Sequence, residues 1–212
     1  MVRARGHYTD RRAAGRAHHG GHGGRDRPGP SGTDGAQYLR VIGLWQVLAI
    51  DTVPGRLEVA ARHGATATFH GSAADARDFI ASKTEGRLAD VVYDVTGRWP
   101  VLPMALRLAR DFGRVVLLGD TPHPSRQHLT QDVLVRQVSI VGTHNQKLQP
   151  QHSWWIKPRQ IHLFHTYLQR GQMRVDDLIT HRFQPASAQQ VYTQLHEDRN
   201  NTLGALFDWR DT

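Results

Sequence analysis

The chain has 212 residues, enough for one domain with a small appendage. Its mean hydropathy is −0.53, and no apolar run approaches the ~20 residues needed to span a bilayer. It contains no cysteine, which excludes a disulfide framework and a thiolate metal site. The N-terminal arginines are followed by no apolar core of a secretory signal, so the expectation is a soluble, cytoplasmic protein.

The formal charge of +8 invites a nucleic-acid reading, but its distribution argues against one. Seven arginines and three aspartates fall within residues 1–35, so +4 of the excess lies there and +4 is spread over the other 177 residues. Residues 1–28 form an Arg/Gly/His-rich tail with almost nothing to bury, and disorder is expected there. His18, His19 and His22 lie in it without an acid or thiol to complete a metal site.

A helix is predicted from Ala36, with Leu39, Val41 and Ile42 on its buried face and Gly43 as its stop. The apolar run Val47-Leu48-Ala49-Ile50 then ends in the carboxylate of Asp51, the pattern of a buried parallel strand. Alternating elements follow: a helix over Arg56–His63, a strand over Thr66–Phe69, a helix over Ala74–Thr84 and a strand over Ala89–Asp94. Next come a helix over Val101–Arg110 with Pro103 in its first turn, and strands over Gly113–Gly119 and Val138–Gly142. Strands separated by helices of about ten residues predict βαβ units and a parallel, doubly wound α/β sheet. After a polar stretch containing Trp154-Trp155, a helix over Arg159–Gln169, a strand over Asp177–Phe183, a helix over Ala186–His196 and a strand over Leu203–Trp209 break that rhythm.

Ligands of doubly wound folds sit beyond the carboxyl ends of the strands, where an acid can accept two hydrogen bonds from a ribose diol. Asp51 stands at such an end. The competing reading is that Asp51 caps the helix that begins near Pro54.

The segments AQYLRVIGLWQVLAID, RLEVAARHGATATF, ADVVYDVTG, GRVVLLG and VSIVG resemble the C-terminal part of the medium-chain dehydrogenase/reductase family, the zinc-type alcohol, polyol and threonine dehydrogenases. DLITHRFQPASAQQVYTQLHED and LGALFDW resemble that family's chain return to its catalytic domain. The resemblance spans residues 29–209. It implies a Rossmann-like dinucleotide-binding domain over residues 29–145 and a return segment over 146–212. It further implies hydride transfer between an alcohol or polyol and a nicotinamide cofactor, with zinc polarising the oxygen. Asp51 and Arg56 then hold the adenosine ribose, and an acid at position 51 favours NAD over NADP, whose 2′-phosphate it repels. Val95, Thr96 and Gly97 line the adenosine side. Leu118, Gly119 and Asp120, with Thr143 and His144, lie near the nicotinamide. The resemblance also allows a homodimer through Val138–Gly142.

Departures from the family pattern accompany the matches. The glycines of the G-x-G-x-x-G turn fall at Arg27, Gly29 and Gly32, so the first is replaced. No apolar run precedes them, and the expectation is a sheet lacking its first, central strand, with buried backbone groups left unpaired at about 1–3 kcal/mol each. The family's zinc ligands have no counterpart here, because the catalytic domain that carries them is not matched. The resulting expectation is a truncated chain whose catalytic residues are unknown and which holds no metal. Alternatives are a non-catalytic remnant or partner-binding fragment, or a nucleoside-cofactor methyltransferase, which also places an acid at a strand end. His162 and His165 share a helix face, but no third metal ligand is evident, so a surface pair is expected.

Overall fold

In a computed structural model the described residues are 2–3, 31–144, 150–197 and 202–210. The chain divides into two units, Met1–Met173 and Arg174–Thr212. The first contains a six-stranded sheet: β1 (Val2–Arg3), β2 (Val47–Asp51), β3 (Ala67–His70), β4 (Ala89–Asp94), β5 (Ala109–Leu117) and β6 (Ser139–Gly142). Its strand order is β3-β2-β1-β4-β5-β6, the order of the doubly wound dinucleotide fold. The five longer strands are parallel, and only β1 is antiparallel to both neighbours.

The central place, expected to be empty, is therefore held by two residues. Val2 pairs with Leu48 and Val92, and Arg3 with Val47 and Val91. Two residues show no period, which is why the sequence carries no strand signal there. Residues 4–30 lie outside the described residues, and with them the rest of the expected tail, the three histidines, Arg27 and Gly29.

Alternation along the central strands sends their side chains to two different cores. Leu48, Val92 and Val115 join a cluster with Ile80 of α3 (Arg77–Lys83) and Leu102, Leu106 and Leu108 of α4 (Val101–Leu108). Val47, Val91, Tyr93 and Val116 join another with Ala36 and Leu39 of α1 (Ser31–Val41). Ala49 packs with Leu57 and Ala60 of α2 (Pro54–Arg62). Both faces are covered, as apolar parallel strands require. Ile42, expected in the core, is 42% exposed, because the chain leaves the helix at Gly43 with φ +84°.

Two boundaries differ instructively. Helix α4 stops at Leu108, and Ala109 turns extended to pair with Ala89, so β5 begins four residues early. A bulge follows, with Phe112 at φ +55° and its N–H donated to the Arg136 carbonyl, before pairing resumes at Val91–Arg114. Short helix α5 (Asp132–Val135) then precedes β6 at the sheet edge, and α6 (Lys157–Gln169) closes the unit. The ring of Tyr167 on α6 meets that of Tyr38 on α1 edge-on at 6.1 Å.

The second unit pairs β7 (His181–Phe183) with β8 (Ala205–Phe207) in parallel, with α7 (Ala188–Glu197) between them in sequence. The Phe207 ring contacts Phe183 and Tyr192 at 6.3 and 6.2 Å. Among the described residues no helix is long and apolar enough to cross a membrane.

Candidate functional site

The parallel strands of the first unit end along one edge of the sheet. Asp94 is in register with Leu117, and Leu117 with Gly142. The segments that follow these three residues are Val95–Gly97, Leu118–Asp120 and Thr143–His144, so the expected loops are neighbours. Asp51 ends β2 on the other side of β1.

Asp51 is built for one interaction and leaves room for another. Its Oδ1 accepts the Val53 N–H at 2.9 Å, an Asx turn that folds the chain sharply at the strand end. Val53 is the N-cap of α2, and no side chain caps that helix, which starts with Pro54. The capping reading of Asp51 therefore does not hold. Arg56 Nη1 lies 3.9 Å from the same Oδ1, with 13% of the Arg56 side chain and 32% of the Asp51 side chain exposed. The other carboxylate oxygen of Asp51 has no partner among the described residues. The end of β3 braces this corner: Gly71 donates its N–H to the Asp51 carbonyl, and His70 Nε2 meets the Thr52 carbonyl at 3.1 Å.

On the opposite side of β1, a second acid organises the loops. Asp94 is only 4% exposed. Its Oδ1 accepts the Thr96 N–H at 2.9 Å and the Thr96 hydroxyl at 2.7 Å. Its carbonyl accepts the N–H groups of both Leu118 and Gly119 at 2.8 and 3.0 Å. The Thr96 hydroxyl in turn accepts the Arg98 N–H. This ties the β4 loop to the β5 loop through backbone groups. Sequence reading passed over Asp94 as a functional candidate, although ADVVYD carries the same signal as VLAID, an apolar run ending in an acid.

Gly97 and Gly119 complete the junction. Gly97 adopts φ +63°, and a Cβ on it would strike the Asp120 carbonyl. A Cβ on Gly119 would strike the Gly97 nitrogen. The two loops abut at a distance only glycine permits, which clamps them together at the strand ends. Thr143 joins the row by donating its hydroxyl to the Leu117 carbonyl at 2.6 Å. Thr96, Asp120 and His144 are exposed; Val95, Leu118 and Thr143 are half-buried.

Of the candidate residues, the structure brings Val95–Gly97, Leu118–Asp120 and Thr143–His144 into one row and pairs Asp51 with Arg56. Gly32 lies in the first turn of α1, while Gly29 lies outside the described residues. His162 and His165 are both exposed on α6. Among the described residues no group of three or more His, Cys, Asp or Glu side chains could hold a metal ion, so these residues do not fit a zinc site.

A family model described as zinc-binding dehydrogenase matches residues 31–155. An L-threonine 3-dehydrogenase of Bacillus licheniformis is 29% identical over 155 residues, covering 73% of this chain and 42% of that protein. A short chain alcohol dehydrogenase of E. coli, solved with its cofactor NADH, superposes with TM-score 0.69 at 22% identity, over 85% of this chain and 50% of that one. A Sinorhizobium meliloti protein bound to NADP superposes with TM-score 0.63 at 25% identity, over 77% of this chain and 45% of that one. The chain spans less than half the length of the curated relatives it matches.

Proposed function

The chain belongs to the zinc-binding dehydrogenase family, and from that premise we propose that it binds a nicotinamide adenine dinucleotide along the strand ends, NAD in preference to NADP. The observation that carries this reading is Asp51: a carboxylate at the end of β2, oriented by the Val53 N–H, with one oxygen unengaged among the described residues. A ribose diol offers two hydroxyl donors to such a group, while a 2′-phosphate would meet its negative charge. Arg56 places a positive charge beside the same carboxylate oxygen. Gly97 and Gly119 let the β4 and β5 loops close on each other, which fixes the backbone past which a dinucleotide would run. Gly32 stands in the first turn of α1, a helix N-terminus of the kind that favours a pyrophosphate. Thr143 and His144, beyond β6, border the position assigned to the nicotinamide.

When bound, the cofactor would supply hydride transfer, and the similarity to threonine and polyol dehydrogenases supports an alcohol or polyol substrate for the whole protein. The chain's own residues orient and shield the dinucleotide; no step is assigned to zinc, for which they offer no site. On this account the chain is the cofactor-binding part of a longer dehydrogenase. A second reading, a non-catalytic partner-binding fragment, draws on that same lack of metal ligands. The family match gives no support to a methyltransferase. Exposed edge strand β6 carries the proposed homodimer contact.

Calorimetric titration with NADH and NADPH tests the selectivity. The expected result is tighter binding of NADH, with the preference narrowed or reversed in Asp51→Ser. Equal affinities in the parent chain, or an unchanged ratio in the variant, would remove Asp51 from the ribose site.

A further inference from the structure

From Val133 to Val175 the sequence contains no Asp or Glu and six Lys or Arg, two of which, Arg136 and Arg174, pair with Asp132 and Asp177 just outside it. Within this stretch the described structure concentrates exposed charge on α6 and the turn before it. Lys157 and Arg159 stand in the first turn of α6, which holds no acid, and both are exposed, as are His162, His165 and Arg170. Cations at that end oppose the helix dipole. They therefore do not stabilise the helix through its dipole.

Large apolar side chains accompany them. Trp154 is 60% exposed, Ile156 51% and Ile161 56%. The patch is ordered rather than loose. The Arg159 guanidinium lies 4.0 Å from the centre of the Trp154 ring and donates to the Trp154 carbonyl at 2.8 Å. Gln160 donates to the Trp155 carbonyl at 2.5 Å, and Trp155 meets Trp154 edge-on at 5.1 Å. Exposed Trp and Arg with aliphatic neighbours make the composition of an interface centre.

We propose that the start of α6 and the Trp154–Ile156 turn form a docking surface for an acidic protein segment that presents carboxylates around an apolar side chain. Carboxylates would meet Lys157, Arg159 and the positive end of the helix, and the apolar group would cover Trp154, Ile156 and Ile161. A nucleic acid fits less well. Stacked bases need open aromatic faces, whereas one face of Trp154 is taken by Arg159 and the two isoleucines would have no role. The inference does not rest on the cofactor reading.

The test uses the full chain and a fluorescein-labelled amphipathic peptide of Glu, Leu and Ala, followed by fluorescence anisotropy. Saturable binding that weakens with salt is expected, reduced about tenfold or more in the double variant Lys157→Glu/Arg159→Glu. Ile161→Ala, on the exposed face of the helix, is expected to weaken binding without touching the charges. NADH titration of the same variants should be unchanged. The proposal is overturned by failure of the parent chain to bind the peptide, by equal binding to the charge-reversed variant, or by a single-stranded oligothymidylate that binds more tightly than the peptide.

Discussion

Replacing Gly97 by alanine tests how the strand-end loops are clamped. Its φ of +63° is a left-handed conformation that costs an L-residue about 1–2 kcal/mol. The added methyl would also meet the Asp120 carbonyl, a backbone group that cannot rotate away, and overpacking of this kind costs about 1–3 kcal/mol. Together these destabilise the chain by about 2–5 kcal/mol. For a domain of this size that lowers the unfolding temperature by on the order of 10 °C. Gly86→Ala is the control, since Gly86 has φ +79° but open space around it, so it carries the conformational cost alone. Gly119→Ala carries mainly the steric cost, and its effect should add less than fully to that of Gly97→Ala, because one separation of the loops relieves both. Thermal unfolding by circular dichroism gives the stability, and NADH titration reports whether the loops still fit a dinucleotide. If Gly97→Ala unfolds no earlier than Gly86→Ala and binds NADH like the parent, the loops are not clamped as described.

Three further outcomes follow from particular contacts. Leu106→Ala empties a fully buried position between α4 and the sheet and should cost about 2–5 kcal/mol in denaturant unfolding. Asp132 is a pH probe: burial raises its pKa, but the Thr130 hydroxyl and the Arg136 guanidinium outweigh this and hold it below 3.8. Its ionised form therefore stabilises the fold above the ordinary carboxylate range, and that stability is lost as pH falls through the lowered value. Asp132→Asn should unfold earlier than the parent at pH 7, with the gap closing below about pH 4 in thermal scans. Val141→Lys, on exposed edge strand β6, should leave the chain folded and yield a monomer by light scattering if β6 pairs between copies.

The parallel sheet was legible because its strands are short apolar runs ended by acids or glycines. Val47–Asp51 and Ala89–Asp94 occupy the bounds read from the sequence. Where expectation and structure part, a tertiary contact decides. The amphipathic run through Arg110 reads as helix, yet Ala109 is claimed by Ala89, and Arg110 turns to the Asp90 carboxylate at 2.6 Å. Helix α3 starts at Arg77 rather than Ala74 because the Ser72 hydroxyl accepts the Ala74 N–H and forms a turn first. The two-residue β1 was illegible, since its place in the sheet is set by the pairing needs of β2 and β4. The site divides the same way. Asp51 was visible as an acid at a strand end. The clamp made by Asp94, Gly97 and Gly119 depends on two loops meeting across more than twenty residues of sequence, and no local pattern announces that.

The most direct test of the central claim is titration of the chain with NADH, followed by energy transfer from its tryptophans, alongside Asp51→Ala. The account predicts saturable transfer in the parent and a loss of affinity of roughly tenfold to a hundredfold in the variant, the effect of removing hydrogen bonds to a charged group. A parent chain that shows a helical circular dichroism spectrum but no saturable transfer, or a variant that binds as the parent does, would contradict it.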